Sequence, residues 1–472
     1  MSTTLLSALR ETLGERGMIT DPAEKAPYCV DWRKKYVGDT LAVCLPSSAL
    51  EVAALVRQCA EFNTAIVPQG GNTGMSGAAT PDSSGKQIVV SMKRLNRVRA
   101  VDTANYSITV EAGVILQTLQ DEAAKHDRLF PLAIGSQGSC MIGGNLASNA
   151  GGTAVLRYGN ARELCLGIEA VLPNGEIVNA LQGLRKNNVG YSLRDLLIGS
   201  EGTLGIITAA TMKLFPRPKA QVTAWIALES MDDAIALFQV AFAKLGAMLT
   251  AFELIHPLGL EMAERSDAVK SFPLPRDSAN WFVLMEASDG ESEAHATAAI
   301  EVMLGEEIEA GRILDVAVAG TMAQSQSMWA IREAISVAQS MVEGPHIKHD
   351  ISVPISRFAE FHRVTFAALS ERYSGIRVNC FGHIGDGNLH YNVFAPLASD
   401  QASFGNVESE AINRIVHDRV VEFGGSISAE HGIGQLRRDE LAHYGDPASM
   451  QAMRAIKQAL DPKGLFNPGK VI

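Results

Sequence analysis

Two histidines and one glutamate carry the most distinctive chemistry in this chain. In Gly382-His383-Ile384-Gly385-Asp386-Gly387-Asn388-Leu389-His390-Tyr391-Asn392 the Gly-Asp-Gly-Asn turn folds the strand back, so His383 and His390 can approach each other. Asn392 shares a face with His390 through the two-residue period of a strand. Ala429-Glu430-His431-Gly432 later adds a carboxylate. Two imidazoles and one carboxylate make a three-ligand site for a divalent metal, with positions left for substrate or water. A lone histidine is ordinarily a satisfied core or surface residue, and the chain has 11. Three such groups beside glycines are harder to explain that way. Asp386 reads as a turn former.

Glycine-rich loops supply a second chemistry. Phosphates need bare backbone N–H groups pointing inward, and glycine permits both the close approach and a positive φ. Gln69–Gly77 and Gly135–Gly152 are two such loops, and Gly199–Gly205 is a third. Together they suit a dinucleotide. The G-x-G-x-x-G pattern is absent from the first two, and Gly70-Gly71-x-x-Gly74 is not a P-loop, so NAD and ATP motifs are unsupported. Two isolated cations, Arg332 on a helical stretch and Lys348 on an apolar strand, read as structural when each is taken alone. His346 and His349 carry no functional expectation.

The elements that hold these groups can be read in order. A strand over 41–45, a helix opened by Ser48 and Glu51 at capping-box spacing, and a strand over 65–67 lead into the first glycine loop. Strands over 88–91 and 106–114 and a helix over 115–126 precede the second. Pro173-Asn174-Gly175-Glu176 marks a hairpin, and Pro216 and Pro218 mark a boundary near 219. Strand and helix then alternate over 222–319 as two halves of a split β-α-β unit, which predicts an antiparallel sheet with helices on one face. Helices over 322–341, 410–423 and 447–460, a strand over 346–353 and a hairpin over 377–394 complete the chain. The expected domains are 1–219, 220–425 and 426–472.

Composition narrows the function. With 472 residues and 47% hydrophobic content the chain can bury large cores. Its 41 basic against 52 acidic side chains give a net charge of -11, which disfavours nucleic-acid and membrane-surface roles. Six scattered cysteines without a C-x-x-C pair exclude an iron–sulfur cluster motif and a disulfide framework. The N-terminus has no signal-peptide core, and glycines interrupt the uncharged stretch 129–156, so no membrane span is expected. A cytoplasmic protein is the expectation.

Several motifs together resemble a known family. Pro68-Gln69-Gly70-Gly71-Asn72-Thr73-Gly74, Gly135-Ser136-Gln137-Gly138, Ile142-Gly143-Gly144-Asn145 and Gly199-Ser200-Glu201-Gly202-Thr203-Leu204-Gly205 look like the FAD site of the vanillyl-alcohol-oxidase-type flavoproteins. The His383–Asn392 and Glu430-His431 motifs resemble those of its D-2-hydroxyacid dehydrogenase branch. Trp329-Ala330-Ile331-Arg332-Glu333 and Lys348–Pro354 are most similar to D-2-hydroxyglutarate dehydrogenases.

This resemblance implies an α+β fold: a two-part FAD-binding domain, a cap domain whose antiparallel sheet is covered by helices, and a helical C-terminal segment returning to the FAD site. It implies FAD contacts from Pro68, Gln69, Gly70, Gly71, Asn72, Thr73, Gly74, Gly135, Ser136, Gly138, Ser139, Gly143, Gly144, Asn145, Ser148, Asn149, Glu201, Gly205, Ile206 and Asn467. Neither of the first two glycine loops contains a histidine, so the FAD is expected to be non-covalent. His383, His390 and Glu430 would bind a divalent metal, zinc. Arg332, Lys348 and Asn392 would hold substrate, and His431 would act as general base in contact with it. Ser336 stands where relatives have threonine. The implied reaction oxidises a D-2-hydroxy acid, D-2-hydroxyglutarate or D-malate, and passes electrons to an electron-transfer flavoprotein or quinone. A D-lactate dehydrogenase, a glycolate oxidase FAD subunit, a metal hydrolase and a non-catalytic FAD subunit stay open as alternatives, as does a homodimer.

Overall fold

The computed structural model describes residues 4–397 and 399–472 and divides the chain into two units. Unit 1 runs through Gly151, resumes over Gly159–Arg217 and ends with Glu430–Ile472. Unit 2 takes Gly152–Tyr158 and Pro218–Ala429.

In unit 1, β1 (Met18–Ile19), β2 (Ala42–Cys44), β3 (Ile66–Gln69) and β4 (Ile88–Ser91) form a sheet ordered β1-β2-β4-β3. Strands β2, β4 and β3 are parallel, so a crossover must join them, and the helix Ala49–Glu61 supplies it. Ser48 Oγ accepts from Glu51 N–H and caps this helix; Val52, Leu55, Val56 and Cys59 bury its inner face. The Glu51 carboxylate reaches Ser47 N–H at 2.7 Å rather than that of Ser48. The expected capping box is therefore offset by one residue.

Further strands are β5 (Val98–Asp102), β6 (Ser107–Glu111), β7 (Arg128–Leu129), β8 (Cys165–Val171), β9 (Ile177–Ala180), β10 (Ile206–Lys213) and β11 (Phe215–Pro216). Five of them form the antiparallel sheet β5-β6-β10-β8-β9, and β7 pairs with β11. The C-terminal segment returns to β3: Ile66 N–H donates to Leu465 and Asn467 N–H donates to Ile66, each at 2.8 Å.

In unit 2, β12 (Ala220–Leu228), β13 (Leu249–Ile255), β14 (Trp281–Asp289), β15 (Asp315–Val318), β16 (Ile347–Ser352), β17 (Arg377–His383) and β18 (Asn388–Phe394) make one antiparallel sheet, ordered β15-β12-β14-β13-β17-β18-β16. The first four follow the split β-α-β order, and the hairpin β17–β18 with β16 extends it past β13. Helices cover both faces, correcting the expectation of one. Phe238, on the helix Met231–Leu245, meets Phe252 of β13 at 5.4 Å between ring centroids. The neighbouring residue Glu253 points to the opposite face, where Arg332 of the helix Met322–Val342 binds it. A sheet apolar on both sides must bury both.

Among the described residues no helix is long and apolar enough to cross a membrane. All six cysteines are buried free thiols.

Candidate active site

In unit 1 the glycine loops converge on one open cleft of about 870 Å³, solvent included. Pro68, Gln69, Gly70, Gly71, Asn72, Thr73 and Gly74 line it, with Gly143, Gly144, Asn145, Ser148, Glu201, Gly205 and Ile206. Gly135, Ser136, Gly138, Ser139, Asn149 and Asn467 are not in its lining. Their contacts explain why some of them stand beside it. A Cβ on Gly71 would lie 2.2 Å from the carbonyl oxygen of Ser139, so the two loops abut backbone to backbone and only glycine fits between them. Asn149 Oδ1 accepts from Arg162 N–H at 3.0 Å. Asn467 Nδ2 donates to the carbonyls of Ala78 at 2.9 Å and Glu201 at 2.8 Å, joining two cleft loops.

A cleft walled by backbone suits a phosphate-bearing dinucleotide. A Cβ on Gly74 would meet no protein atom within 4 Å, so packing does not require glycine there. Asn72, Glu201 and Asn467 all hold left-handed backbone, with φ of 54°, 51° and 45°. Such strain gathers where a ligand needs shaped backbone. The residues fit FAD.

The loop bearing His431 is fastened to the same unit. Ser76 Oγ stands 3.0 Å from the His431 carbonyl oxygen. The Glu201 carboxylate accepts from Ile433 N–H at 2.7 Å and Gly434 N–H at 2.9 Å. Burial raises the Glu201 pKa to about 7, against the lowering effect of those two bonds. Gly432, at φ +70°, packs where a Cβ would come within 2.8 Å of Glu201 Oε1.

In unit 2 strand register assembles the polar candidates. Lys348 pairs with Asn392 and Asn392 with Asn379; Asp350 pairs with His390 and His390 with Phe381; His383 pairs with Glu253. Directly paired residues share a face, and so do alternate residues, so all of these lie on one side of the sheet. The His383 and His390 rings meet edge to face, 5.5 Å between centroids.

Each imidazole has a carboxylate beside it. His383 Nδ1–H donates to Glu253 Oε1 at 2.6 Å, and His390 Nδ1 lies 3.9 Å from Asp350 Oδ1. The short bond to Glu253 fixes the tautomer of His383 and leaves its other ring nitrogen to a metal, whereas the His390–Asp350 separation is too long for a hydrogen bond. This donor set fits a divalent ion. Ala429, the last residue of unit 2, donates its N–H to the Asp350 carbonyl at 3.2 Å, and the third candidate ligand, Glu430, opens the final segment of unit 1.

Arg332 is buried, and both its Nε and Nη2 lie 2.8 Å from Glu253 Oε2. Glu253 is itself fully buried; burial would raise its pKa, but His383 and Arg332 outweigh burial and lower it to about 2. The same helix docks by further polar contacts. Ser325 Oγ meets Thr223 Oγ1 at 2.6 Å, Trp329 Nε1 donates to Glu286 at 2.8 Å, and Gln339 Oε1 accepts from Asn392 Nδ2 at 2.9 Å. Ser336, one turn beyond Arg332, is exposed. His349 faces the other way, its Nδ1 bonded to the Tyr391 carbonyl at 2.8 Å.

Sequence reasoning passed over Ser76, Glu253, Gln339 and Asp350. Glu253 had a signal: a solitary carboxylate in the apolar run Leu249–Ile255 must find a cation or a hydrogen-bond donor when buried. Ser76 and Gln339 act on groups that only folding brings near.

Comparison with known proteins adds an independent line. Residues 40–181 match an FAD binding domain, and residues 217–471 match the C-terminal domain of FAD linked oxidases. A D-2-hydroxyglutarate dehydrogenase of Xanthomonas citri pv. viticola is 36% identical over 98% of this chain and 96% of its own length. The mitochondrial D-2-hydroxyglutarate dehydrogenase of Bos taurus is 35% identical over 99% of this chain and 83% of its own. A D-2-hydroxyglutarate–pyruvate transhydrogenase of Saccharomyces cerevisiae is 32% identical over 96% and 90%. Among solved structures, p-cresol methylhydroxylase shares the fold at a TM-score of 0.75 and 15% identity, covering 99% of this chain and 96% of that one.

Proposed function

Because the chain belongs to the FAD-linked oxidases, we propose that it oxidises a D-2-hydroxy dicarboxylate to the 2-oxo acid, D-2-hydroxyglutarate first and D-malate, one carbon shorter, second. The observation that carries the substrate reading is the register pair Lys348–Asn392. It sets a second cation on the sheet face that Arg332 reaches from its helix. A dicarboxylate brings two charges, and burying either without a partner would cost several kcal/mol. D-lactate needs only one cation.

In this reading FAD stays non-covalently in the unit 1 cleft, and His383, His390 and Glu430 hold a divalent ion, zinc. When bound, the flavin supplies a hydride acceptor and the ion a Lewis acid that lowers the pKa of the substrate hydroxyl. Arg332 and Lys348 take the carboxylates, and Asn392, steadied by Gln339, orients the substrate; Ser336 offers a hydroxyl from the same helix. His431 accepts the proton of the C2 hydroxyl as C2–H bond electrons leave as hydride. Its main chain is held by Ser76, so the imidazole has a fixed origin from which to reach. The six buried thiols agree with a cytoplasmic location.

The electrons leave to an external acceptor, an electron-transfer flavoprotein or a quinone. The yeast relative, whose name couples D-2-hydroxyglutarate to pyruvate, favours a second reading in which a 2-oxo acid reoxidises the flavin. Anaerobic titration of the flavin absorbance with D- and L-2-hydroxy acids tests the substrate. Faster bleaching by D-lactate than by either diacid defeats the diacid assignment, and no bleaching by any of them defeats the enzyme reading. Reoxidation by each acceptor class then separates the two readings of electron release.

A further inference from the structure

The two oxygens of Glu253 serve different masters. Oε1 accepts from His383 Nδ1 at 2.6 Å, while Oε2 takes both Nε and Nη2 of Arg332. Glu253 is placed for this by register, directly opposite His383, and Arg332 reaches down from the covering helix. Arg332 Nη1 has no protein acceptor among the described residues, so the guanidinium keeps donors for another anion. Its plane is fixed further by the Phe381 ring, 5.0 Å away.

We infer that Glu253 is a positioning residue that ties the metal-facing nitrogen of His383 to the carboxylate-binding edge of Arg332. The inference rests on the reading above that His383 is a metal ligand. A carboxylate accepts at both oxygens and donates at neither. It can therefore orient an imidazole and a guanidinium at once, pinning the tautomer of one and the rotation of the other. Glutamine in its place would turn an NH₂ toward one of two donors. A merely structural ion pair would influence stability; a shared anchor also links metal affinity to diacid affinity.

The test uses the full-length, FAD-loaded protein. Zinc affinity is measured by competition with a chromogenic chelator, and diacid affinity by the flavin absorbance change on adding 2-oxoglutarate. Glu253→Gln is expected to weaken zinc binding by about 10–100-fold and 2-oxoglutarate binding by at least about tenfold, with FAD retained. Arg332→Met is expected to weaken 2-oxoglutarate binding while zinc affinity stays within about threefold of wild type, since only one arm of the anchor is cut. Glu253→Gln that binds zinc like wild type overturns the inference. Wild type that takes up no zinc defeats the metal reading instead, and the inference with it. If Glu253→Gln loses its FAD, the tautomer is read on wild type by ¹⁵N-histidine NMR. A signal protonated at Nδ1 that disappears in His383→Gln is expected, and one protonated at Nε2 overturns the inference.

Discussion

Ser76 Oγ and the carbonyl oxygen of His431 stand 3.0 Å apart although 355 residues separate them in the chain. The Gln435 N–H returns to the Ser76 carbonyl at 2.9 Å. One buried serine thus fastens the loop of the proposed base to a glycine loop of the FAD cleft. Ser76→Ala is expected to lose about 1–3 kcal/mol of stability by stranding acceptors. It should also slow flavin reduction about tenfold by loosening the base. Chemical denaturation and stopped-flow absorbance read the two effects. An unchanged reduction rate in a destabilised variant would confine Ser76 to folding.

Removing the base itself separates chemistry from binding. His431→Ala should keep FAD and metal yet reduce its flavin at least ~100-fold more slowly, the usual scale for a positioned base. His349→Ala should reduce its flavin near the wild-type rate but unfold more readily, because a buried ring bonded to the Tyr391 carbonyl is deleted. A near-normal rate in His431→Ala would remove it from the base role.

The two cations should respond differently. Lys348→Met is expected to raise the diacid's KM or lower its kcat by the equivalent of ~1–3 kcal/mol, with D-lactate affected less. Arg332→Met additionally leaves the buried Glu253 carboxylate short of its guanidinium, which should destabilise the fold by about 3–5 kcal/mol. Equal loss for D-lactate and diacid in Lys348→Met would argue against a contact with the second carboxylate.

Glu201 gives stability a pH dependence of known sign. Its pKa, about 7 in the fold, lies above the ordinary value of 4.5. Between those values the folded protein holds a proton that the unfolded chain has released, so this group's stabilisation is complete below pH 4.5 and fades as pH rises through 7. The loss amounts to about 3 kcal/mol. The stability difference between wild type and Glu201→Gln should therefore shrink across that window. A difference independent of pH would show that Glu201 is ionised throughout.

Chelation should stop turnover without bleaching or releasing FAD, since the cleft belongs to unit 1 and the paired histidines to unit 2. Full metal removal with an unchanged rate would dispose of the metal role. Acid precipitation should release the FAD into solution.

The sequence alone determined the local elements and which motifs stand on them. Helices over 231–245 and 447–460 and the strand over 249–255 follow from periodicity and capping, because those signals lie within a few residues. Runs of glycine marked the loops that line the unit 1 cleft, and at Gly71 the close approach of the Ser139 backbone admits no side chain. The hairpin around Gly385-Asp386-Gly387-Asn388 set His383 against His390 for the same local reason. What tertiary structure decided was partnership. Register across β13 and β17 put Glu253 opposite His383, and helix docking brought Arg332 to the same carboxylate. Ser76 met His431, and helices covered both sheet faces. These contacts depend on which strands become neighbours and which helix lies over them. Those choices are made by the burial of whole surfaces, and no short stretch of residues encodes them.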